Sequence, residues 1–447
     1  MRIIKRHYYR ELIESLDKDV ITALVGPRQT GKTTTLNFIE NYLKSKGVNP
    51  DKNILVLNFD DFDIREKAAE SGYIREDISS VYGKNINEIE GKFYLIIDEV
   101  QKAPRSFEEL KIIFDGFRNI KIIVSGSSSL DIMDRSAESL AGRIRFIKVH
   151  PFTIMEALSL VENYDIEYDD FSFVPLIFRG ELDERKIKEK IEKYVFFKNA
   201  YKKNLNDFLI MGSLPRVIQE KTREEKFLFL KDYKNTYIDR DIRLIKGIGD
   251  LKDFGRILTI ISARLASSYE TSSLAKKAGV DFRTVKKYIS VLENTFIINH
   301  LEPYYKNIEK RIVKAPKLYF FDNGIVSLLT GIYNFAALEK MEKIGAFFEN
   351  LIIGNIKKYA DNEKMPVNCY YYRTYSGAEV DVVVETEAGL LLFEIKSGEN
   401  VKKSMLAGFK SMKEEVREKI NSCYIIYEGP FKKLEENVFC LPAHLFI

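Results

Sequence analysis

The stretch GPRQTGKTT (residues 26–34) decides the fold of the first third of this 447-residue chain. It matches the pattern G-x-x-x-x-G-K-[ST], which requires a strand before it and a helix after it. The run VITALVG (20–26) is apolar and β-branched, and Leu36, Ile39 and Leu43 recur at helical spacing after it. The pattern therefore predicts a phosphate-binding loop between a strand and a helix.

This loop supplies two kinds of contact to a phosphate group. Its glycines let backbone N–H groups turn inward, and the positive end of the helix adds to them. Lys32 is expected to reach the β- and γ-phosphates, and the Thr33 hydroxyl to ligate Mg²⁺. The alternative is a glycine turn that matches by chance. The predicted nucleotide contacts are Gly26, Pro27, Arg28, Gln29, Thr30, Gly31, Lys32, Thr33 and Thr34.

Four further β-branched runs predict the rest of a parallel sheet covered on both faces: NILVLNF (53–59), KFYLIID (92–98), KIIVSG (121–126) and IRFIKV (144–149). Asp98 ends the run KFYLIID and Glu99 follows it, at the strand edge where such sheets bind ligands. Asp98 is placed for a metal ion, directly or through water, and Glu99 is placed to activate the attacking water. The alternative is a solvated strand end.

Two other strand ends carry polar candidates. Ser125 lies near the end of the run KIIVSG, and Ser127 and Ser128 follow it. A hydroxyl next to the γ-phosphate would sense hydrolysis there. The alternative is that these serines form a serine-rich turn. Arg143 precedes the fifth run. It either stabilises phosphoryl-transfer charge, in its own subunit or in a neighbour, or pairs with a structural carboxylate.

The segments GPRQTGKTT, IIDEVQKAP, SGSSS and SLAGR together resemble a prokaryotic AAA+ ATPase family with a C-terminal domain of uncharacterised function. The resemblance covers nearly the whole chain. It implies ATP as the substrate, an extra strand between the two nucleotide motifs, and assembly into oligomers. It also implies a Gly-x-Pro contact to adenine in a helical lid, for which MGSLPRV offers Pro215 with one residue too many. The alternative for Pro215 is a helix-breaking turn.

A helix-turn-helix is predicted in TSSLAKKAGVDFRTVKKYISVLENTFII. Ala275, Gly279 and Val285 have the spacing of a helix contact, a turn and a buried position in the second helix. That helix is expected to carry Arg283, Lys286 and Lys287 outward, which suits contact with DNA phosphates and the major groove. The alternative is a winged helix that packs or regulates within the ATPase.

Charged residues on apolar strands mark the terminal region. GAEVDVVVETEAGLLLFEIKSG (377–398) predicts a hairpin on which Asp381 and Glu394 lie side by side, with Lys396 pointing at the same site. The spacing D-x12-E-x-K resembles the PD-(D/E)XK nuclease superfamily, which implies a restriction-endonuclease-like domain. The resemblance implies Mg²⁺ held by Glu349, Asp381 and Glu394, with Lys396 positioning a water. The alternative is an ion-paired cluster in an inert nuclease-like domain.

Composition bounds the remaining possibilities. The chain is 45% hydrophobic, with a net charge of +4 and three scattered cysteines, and no apolar run is long enough for a membrane span. A cytoplasmic protein without a membrane partner is expected.

The combined prediction is an α/β fold with four domains: a P-loop AAA+ core (1–150), a helical lid (151–250), a winged helix-turn-helix (251–328) and a nuclease-like domain (329–447). Two functions are compatible with it. One is an ATPase that acts on DNA, with or without nuclease activity. The other is a regulatory ATP switch that binds protein partners.

Overall fold

A computed structural model describes residues 4–126, 140–164, 172–238, 251–305, 315–363, 366–416 and 418–446. The chain divides into two compact units, Met1–Pro151 with Asn294–Phe296, and Phe152–Glu293 with Ile297–Ile447. The first division falls next to the predicted end of the ATPase core at residue 150. The second unit contains the three remaining predicted domains, whose mutual boundaries stay predictions.

The first unit is built on a five-stranded parallel sheet in the order β2-β3-β4-β1-β5. Its strands are β1 (Ile21–Val25), β2 (Ile54–Asn58), β3 (Phe93–Asp98), β4 (Ile120–Gly126) and β5 (Ile144–Lys148). All five predicted strands are therefore confirmed. Strand β4 pairs with both β1 and β3 and so supplies the expected extra strand between the two nucleotide motifs.

Helices cover both faces of this sheet, because β1, β3 and β4 are buried along their whole length. They are α1 (Tyr9–Ser15), α2 (Lys32–Ser45), α3 (Pro50–Asn53), α4 (Phe62–Lys67), α5 (Tyr73–Tyr82) and α6 (Ser106–Gly116). One apolar cluster packs α5 and α6 on one face, and a second packs α1 and α2 against β1 and β3 residues that point the other way. Two cores thus hold the strand ends rigidly.

The second unit begins with helices and ends with a mixed sheet. Its helices are α7 (Ile154–Val161), α8 (Phe173–Phe178), α9 (Glu184–Lys193), α10 (Val195–Met211), α11 (Pro215–Gln219), α12 (Arg223–Tyr233), α13 (Leu251–Ser262), α14 (Thr271–Ala278), α15 (Phe282–Asn294), α16 (Asn323–Thr330), α17 (Phe335–Lys340), α18 (Ile344–Ala360) and α19 (Ala407–Glu415). Within the described ranges, no helix combines the length and apolar character that crossing a membrane requires.

Nine strands form one sheet in this unit, in the order β13-β14-β12-β11-β10-β9-β7-β8-β6. They are β6 (Ser267–Ser268), β7 (Ile298–Pro303), β8 (Lys317–Phe320), β9 (Asn368–Arg373), β10 (Glu379–Thr386), β11 (Gly389–Lys396), β12 (Ile420–Tyr427), β13 (Lys432–Glu435) and β14 (Val438–Pro442). The parallel pairing of β7 with β9 joins the strands that follow the predicted helix-turn-helix to those of the terminal region.

Helices α14 and α15 have the predicted form of a helix-turn-helix. Gly279 ends α14 with φ 64°, a left-handed conformation that glycine adopts readily, and Ala275 and Val285 are buried. Strands β6 and β7 both pair antiparallel with β8, next to these helices in the sequence. The segment 306–314, between β7 and β8, lies outside the described residues.

Candidate nucleotide site and acidic cluster

The loop between β1 and α2 has the backbone shape that its sequence predicts. Gly31 caps α2 with φ 97°, and Gln29 also has a positive φ, of 62°. A Cβ atom at Gly26 would lie 2.2 Å from the carbonyl oxygen of Val149, so no larger residue fits there without moving the backbone. The loop is therefore fixed against the residue that follows β5.

Lys32 lies over this loop and is almost completely buried. Its Nζ donates hydrogen bonds to the carbonyl oxygens of Gly26, at 3.0 Å, and Pro27, at 2.8 Å. Thr30 Oγ1 also donates to the Pro27 carbonyl, at 2.8 Å. The ammonium group and the start of α2 consequently lie at one place, where a helix N-terminus favours an anion.

The two nucleotide motifs meet directly. Thr33 Oγ1 donates a 2.7 Å hydrogen bond to Asp98 Oδ2, and Ser125 Oγ donates to Asp98 Oδ1. Asp98 ends β3 and is 6% exposed, so its carboxylate is held from both neighbouring segments. Three side chains from β3, β4 and α2 thus converge at the carboxyl edge of the sheet.

Glu99 has a left-handed backbone, with φ 56°, directly after β3. Its N–H donates to Asp98 Oδ1 at 3.1 Å, and Gln101 Nε2 donates to Glu99 Oε2 at 2.7 Å. A positive φ is uncommon for a residue with a side chain and is concentrated at functional sites. The bond from Gln101 restricts the carboxylate of the predicted base.

The oxygen donors at this edge fit the magnesium ion that the sequence implies. Mg²⁺ prefers oxygen ligands and in nucleotide sites uses one or two protein groups together with phosphates. The Thr33 hydroxyl and the Asp98 carboxylate are such groups, and their 2.7 Å contact brings both to one point. These two residues would hold the ion.

Sequence reasoning missed Arg6, which supports the phosphate loop from the N-terminal segment. Arg6 is 4% exposed, and its guanidinium donates to the carbonyl oxygens of Thr30, at 3.0 Å, and His150, at 2.7 Å. Nothing in the segment MRIIKRHYY distinguishes Arg6 from its basic neighbours. Its role depends on a contact to residue 150, which is distant in sequence.

The structure does not bring Arg143 to the nucleotide site of its own chain. Arg143 precedes β5, and Ile144 pairs with Ile21 at the start of β1, whereas the phosphate loop follows the end of β1. A strand of five residues spans about 16 Å. Arg143 instead holds Asp115 through Nε at 2.7 Å and Nη2 at 3.1 Å, which is the structural pairing. Action on a neighbouring subunit stays a prediction.

Two other predicted nucleotide contacts have different outcomes. Ser125 lies at the site through its bond to Asp98, whereas Ser127 and Ser128 lie outside the described residues. Pro215 begins α11, and Gly212 ends α10 where a Cβ atom would lie 1.9 Å from Asp322 Oδ1. Gly212 therefore has a packing reason, in keeping with the helix-breaking turn. Contact of Pro215 with adenine stays a prediction.

The predicted DNA-binding side chains lie at the exposed start of α15. Arg283, Lys286 and Lys287 are all exposed, while Val285 between them is buried. Lys276 and Lys277 at the end of α14 are exposed as well and add to the positive charge at this helix pair. The pattern gives a basic face of five side chains.

The terminal hairpin has the predicted register. Val382 of β10 pairs with Phe393 of β11, which puts Asp381 and Glu394 at adjacent positions. Asp381 Oδ2 accepts a 2.8 Å bond from the Ile395 N–H, and Lys396 Nζ lies 3.4 Å from Asp381 Oδ2 and 2.7 Å from Glu394 Oε1. The predicted grouping of these three side chains is confirmed.

A lysine that sequence reasoning missed completes this group. Lys317 of β8 is 4% exposed, and its Nζ lies 3.2 Å from Glu349 Oε1 and 3.6 Å from Asp381 Oδ1 and pairs with Glu379. Tyr319 of the same strand donates to Glu349 Oε1 at 2.6 Å. We call the four carboxylates Glu349, Glu379, Asp381 and Glu394, with Lys317 and Lys396, the acidic cluster.

Burial and neighbouring charges together set the pKa values in the acidic cluster. Burial and the charge of Asp381 raise the pKa of Glu349 and of Glu394. Burial alone would lower the pKa of Lys317, but the charges of Glu349, Asp381 and Glu379 outweigh it and raise that pKa. The lysine therefore stays charged, while two of the acids bind protons more readily than in water.

The acidic cluster does not fit a divalent cation in this arrangement. Among the described residues, no group of three or more His, Cys, Asp or Glu side chains is placed to hold a metal ion. Lys317 contacts two of the three predicted ligands, Glu349 and Asp381, and Lys396 contacts Asp381 and Glu394. Ammonium groups thus already pair with the oxygens that a metal ion would need.

Comparison with family models assigns part of the chain. Residues 18–158 match the model described as an AAA domain. Residues 202–335 and 344–446 match two models described as domains of unknown function, DUF8612 and DUF4143. Residues 18–158 are therefore similar to AAA domains, in agreement with the strand order and motifs of the first unit.

The chain is also similar over most of its length to bacterial proteins. An uncharacterized protein of Mycobacterium tuberculosis is 23% identical over 447 residues, which cover 99% of this chain and 84% of the relative. A second, from Haemophilus influenzae, is 24% identical over 340 residues, covering 72% of each chain. A solved Walker-type ATPase of Pyrococcus abyssi is 15% identical, with a TM-score of 0.41, covering 74% of this chain and 98% of that one.

Proposed function

We propose that this chain binds ATP with Mg²⁺ at residues 26–34 and hydrolyses it. The observation that carries the proposal is the 2.7 Å bond from Thr33 to Asp98, since it joins the phosphate loop to the acidic strand end. The match of residues 18–158 to an AAA domain supports the same activity. Magnesium would supply positive charge that offsets the charge of the phosphate oxygens.

Each residue of the site has a distinct task in this proposal. The backbone N–H groups of residues 28–34 and the Lys32 ammonium bind the β- and γ-phosphates, while Thr33 and Asp98 hold the ion. Glu99 accepts a proton from the attacking water, and Gln101 orients the Glu99 carboxylate through its 2.7 Å hydrogen bond. Ser125 orients Asp98 from β4. Attack therefore occurs beside the carboxyl edge of β3.

The test of hydrolysis is Glu99→Gln, which keeps the size of the side chain but removes the base. ATP turnover should fall about 100-fold or more, because a positioned base contributes that much, while ATP binding is retained. Phosphate release and fluorescent-nucleotide binding measure the two effects. Glu108→Gln, at an exposed position of α6, is the matched control. Unchanged turnover in Glu99→Gln would remove Glu99 from the mechanism.

We propose further that the second unit contacts DNA through a winged helix made of α13–α15 and β6–β8. Support comes from the basic face at the start of α15, because side chains at the start of a recognition helix contact phosphates and base edges. The competing proposal is a regulatory ATP switch with protein partners. Both uses of a winged helix are compatible with the exposed basic face, so the test must separate them.

Replacing Arg283, Lys286 and Lys287 together by alanine separates these functions. Affinity for duplex DNA should fall about tenfold or more, and the salt dependence of binding should weaken. The control replaces three exposed lysines of the same unit, Lys402, Lys403 and Lys410, and removes the same charge. DNA binding that is absent from the native protein, or equal in both variants, would favour protein partners.

For the terminal region we propose a nuclease-like domain without cutting activity. The observation that favours this alternative is the pairing of Lys317, which is not part of the nuclease pattern, with the acids that a nuclease needs for its metal ion. Incubation of plasmid and branched DNA with Mg²⁺ or Mn²⁺ tests the proposal, with Asp381→Ala as the reference. Cutting by the native protein that Asp381→Ala abolishes would refute it.

A further inference from the structure

The position of Lys317 follows from the continuity of the nine-stranded sheet. Strand β8 belongs to the strands that follow α14 and α15, but β7 links it to β9 through the parallel pairs Glu302–Tyr370 and Pro303–Tyr371. The Lys317 ammonium passes over the ring of Tyr371, 5.7 Å from its centre, and reaches the acids of β10 and α18. The lysine thus enters the cluster from a different segment of the chain.

The contacts of Lys317 match the donors that an ammonium group has. Its ammonium has three donors and lies against three carboxylates: it donates to Glu349 Oε1 at 3.2 Å and forms ion pairs with Asp381, at 3.6 Å, and with Glu379. A buried ammonium is stable only when it is paired in this way. The carboxylates gain the same benefit, because each of them is largely buried beside another acid.

We propose that the Lys317 ammonium takes the place of a divalent cation in the acidic cluster, so that the native chain binds no metal ion there. The ion pairs of the cluster then stabilise the packing of β8 against α18 and against the hairpin of β10 and β11. This inference deepens the proposal of a nuclease-like domain without cutting activity, on which it rests, and does not depend on the nucleotide site.

Glu394 indicates what the cluster would do without Lys317. Its Oε1 pairs with Lys396, whereas its Oε2 is buried and has no hydrogen-bond partner in the described part of the chain. Removing the ammonium of Lys317 would leave Glu349 and Asp381 without that charge partner, in the same cluster as the Glu394 carboxylate. Carboxylate oxygens of this kind are the ligands that Mg²⁺ and Mn²⁺ select.

The test measures Mn²⁺ binding to the full chain by calorimetry. Mn²⁺ alone is the probe, and no nucleotide is present. Native protein and Glu394→Gln should give the same heats, since neither binds Mn²⁺ at the cluster. Lys317→Met, which keeps an unbranched apolar stem, should bind one Mn²⁺ at least about tenfold more tightly than native protein. Adding Glu394→Gln to Lys317→Met should abolish that gain.

Two results would overturn the proposal. One is Mn²⁺ binding by native protein that Glu394→Gln removes, because the site would then accept a metal ion with Lys317 present. The other is folded Lys317→Met that binds Mn²⁺ no better than native protein. If Lys317→Met does not fold, the comparison of native protein with Glu394→Gln decides by itself. A variant of the nucleotide site, Asp98→Asn, identifies any Mn²⁺ bound by Asp98.

Discussion

The nucleotide site and the acidic cluster each contain a deeply buried lysine, but the two lysines have different partners. Lys32 is 5% exposed and donates to the carbonyl oxygens of Gly26 and Pro27, which carry dipoles. Lys317 is 4% exposed and pairs with the carboxylates of Glu349, Glu379 and Asp381, which carry full charges. Burial and residue type are therefore the same, and the partner decides the function.

The difference teaches how to interpret a group of acids and lysines. At the nucleotide site the acids lie at the end of a strand, and the lysine lies with a helix N-terminus that favours an anion. In the acidic cluster the lysines already face the acids, and the charges compensate each other inside the protein. The first arrangement is suited to a charged ligand with its metal ion, and the second is suited to holding segments together.

The largest expected effect on ligand binding comes from Lys32→Ala. Loss of its charge-assisted contacts should weaken ATP binding by about 10- to 100-fold or more, because hydrogen bonds to charged groups contribute about 1.5–3 kcal/mol. Calorimetry with ATP and Mg²⁺ measures this effect. Lys44→Ala is the matched control, since Lys44 lies on the same helix, is exposed, and pairs with Glu40 at 2.6 Å. Equal ATP affinities of Lys32→Ala and Lys44→Ala would show that Lys32 does not bind the nucleotide.

Lys317→Met should affect folding stability and leave ATP affinity unchanged. Breaking a buried ion pair from one side leaves charges uncompensated and typically costs about 3–5 kcal/mol. Protonation of Glu349 and Glu394 reduces that cost, because burial raises the pKa of both groups. Thermal melting should show a clear decrease for Lys317→Met and almost none for the exposed control Lys402→Met. An unchanged melting temperature would show that the ion pairs of Lys317 do not stabilise the fold.

The smallest expected effects concern two histidines of the second unit whose pKa values shift in opposite directions. Burial lowers the pKa of His300, but Glu293 and Glu302 outweigh it and raise the value from 6.5 to about 9. Burial, with Lys198 and Lys202, lowers the pKa of His444 to about 4. His300 therefore favours the charged form because carboxylates lie beside it, whereas His444 favours the neutral form because it is buried near lysines.

The sign of each pH effect follows from linkage. His300 contributes stability that is complete below pH 6.5 and is lost as the pH rises through about 9, so His300→Gln should lower the melting temperature only below that range. His444 contributes stability that is present above pH 6.5 and is lost as the pH falls toward 4. His444→Gln should therefore reduce the loss of stability at acidic pH. The same pH profile for both variants would contradict the assignment.

Sequence predicted the nucleotide site because its signals are local. The residues from Gly26 to Thr33 are consecutive, and Asp98 ends a short apolar run of the kind that forms a buried strand. The spacing of Asp381, Glu394 and Lys396 likewise follows from one hairpin, whose register can be derived from a two-residue alternation. Both groups were therefore found without knowledge of contacts between distant segments.

The residues that sequence reasoning missed act over long separations. Arg6 contacts the carbonyl oxygen of His150, and Lys317 contacts Asp381 because β7 pairs with β9, a pairing that no local pattern encodes. For Arg143, the local pattern shows its place before β5 but not its pairing with Asp115, which lies on α6. Periodicity identifies strands, whereas the side chains that cross between them depend on the complete sheet.

The most direct test counts Mn²⁺ bound to the native chain by electron paramagnetic resonance, with and without ATP. One Mn²⁺ per chain should bind tightly when ATP is present, should be lost in Asp98→Asn, and should be unaffected by Glu394→Gln. Without ATP, no tightly bound Mn²⁺ is expected. An ion that binds without ATP and disappears in Glu394→Gln would contradict the account, as would the absence of any ATP-dependent ion.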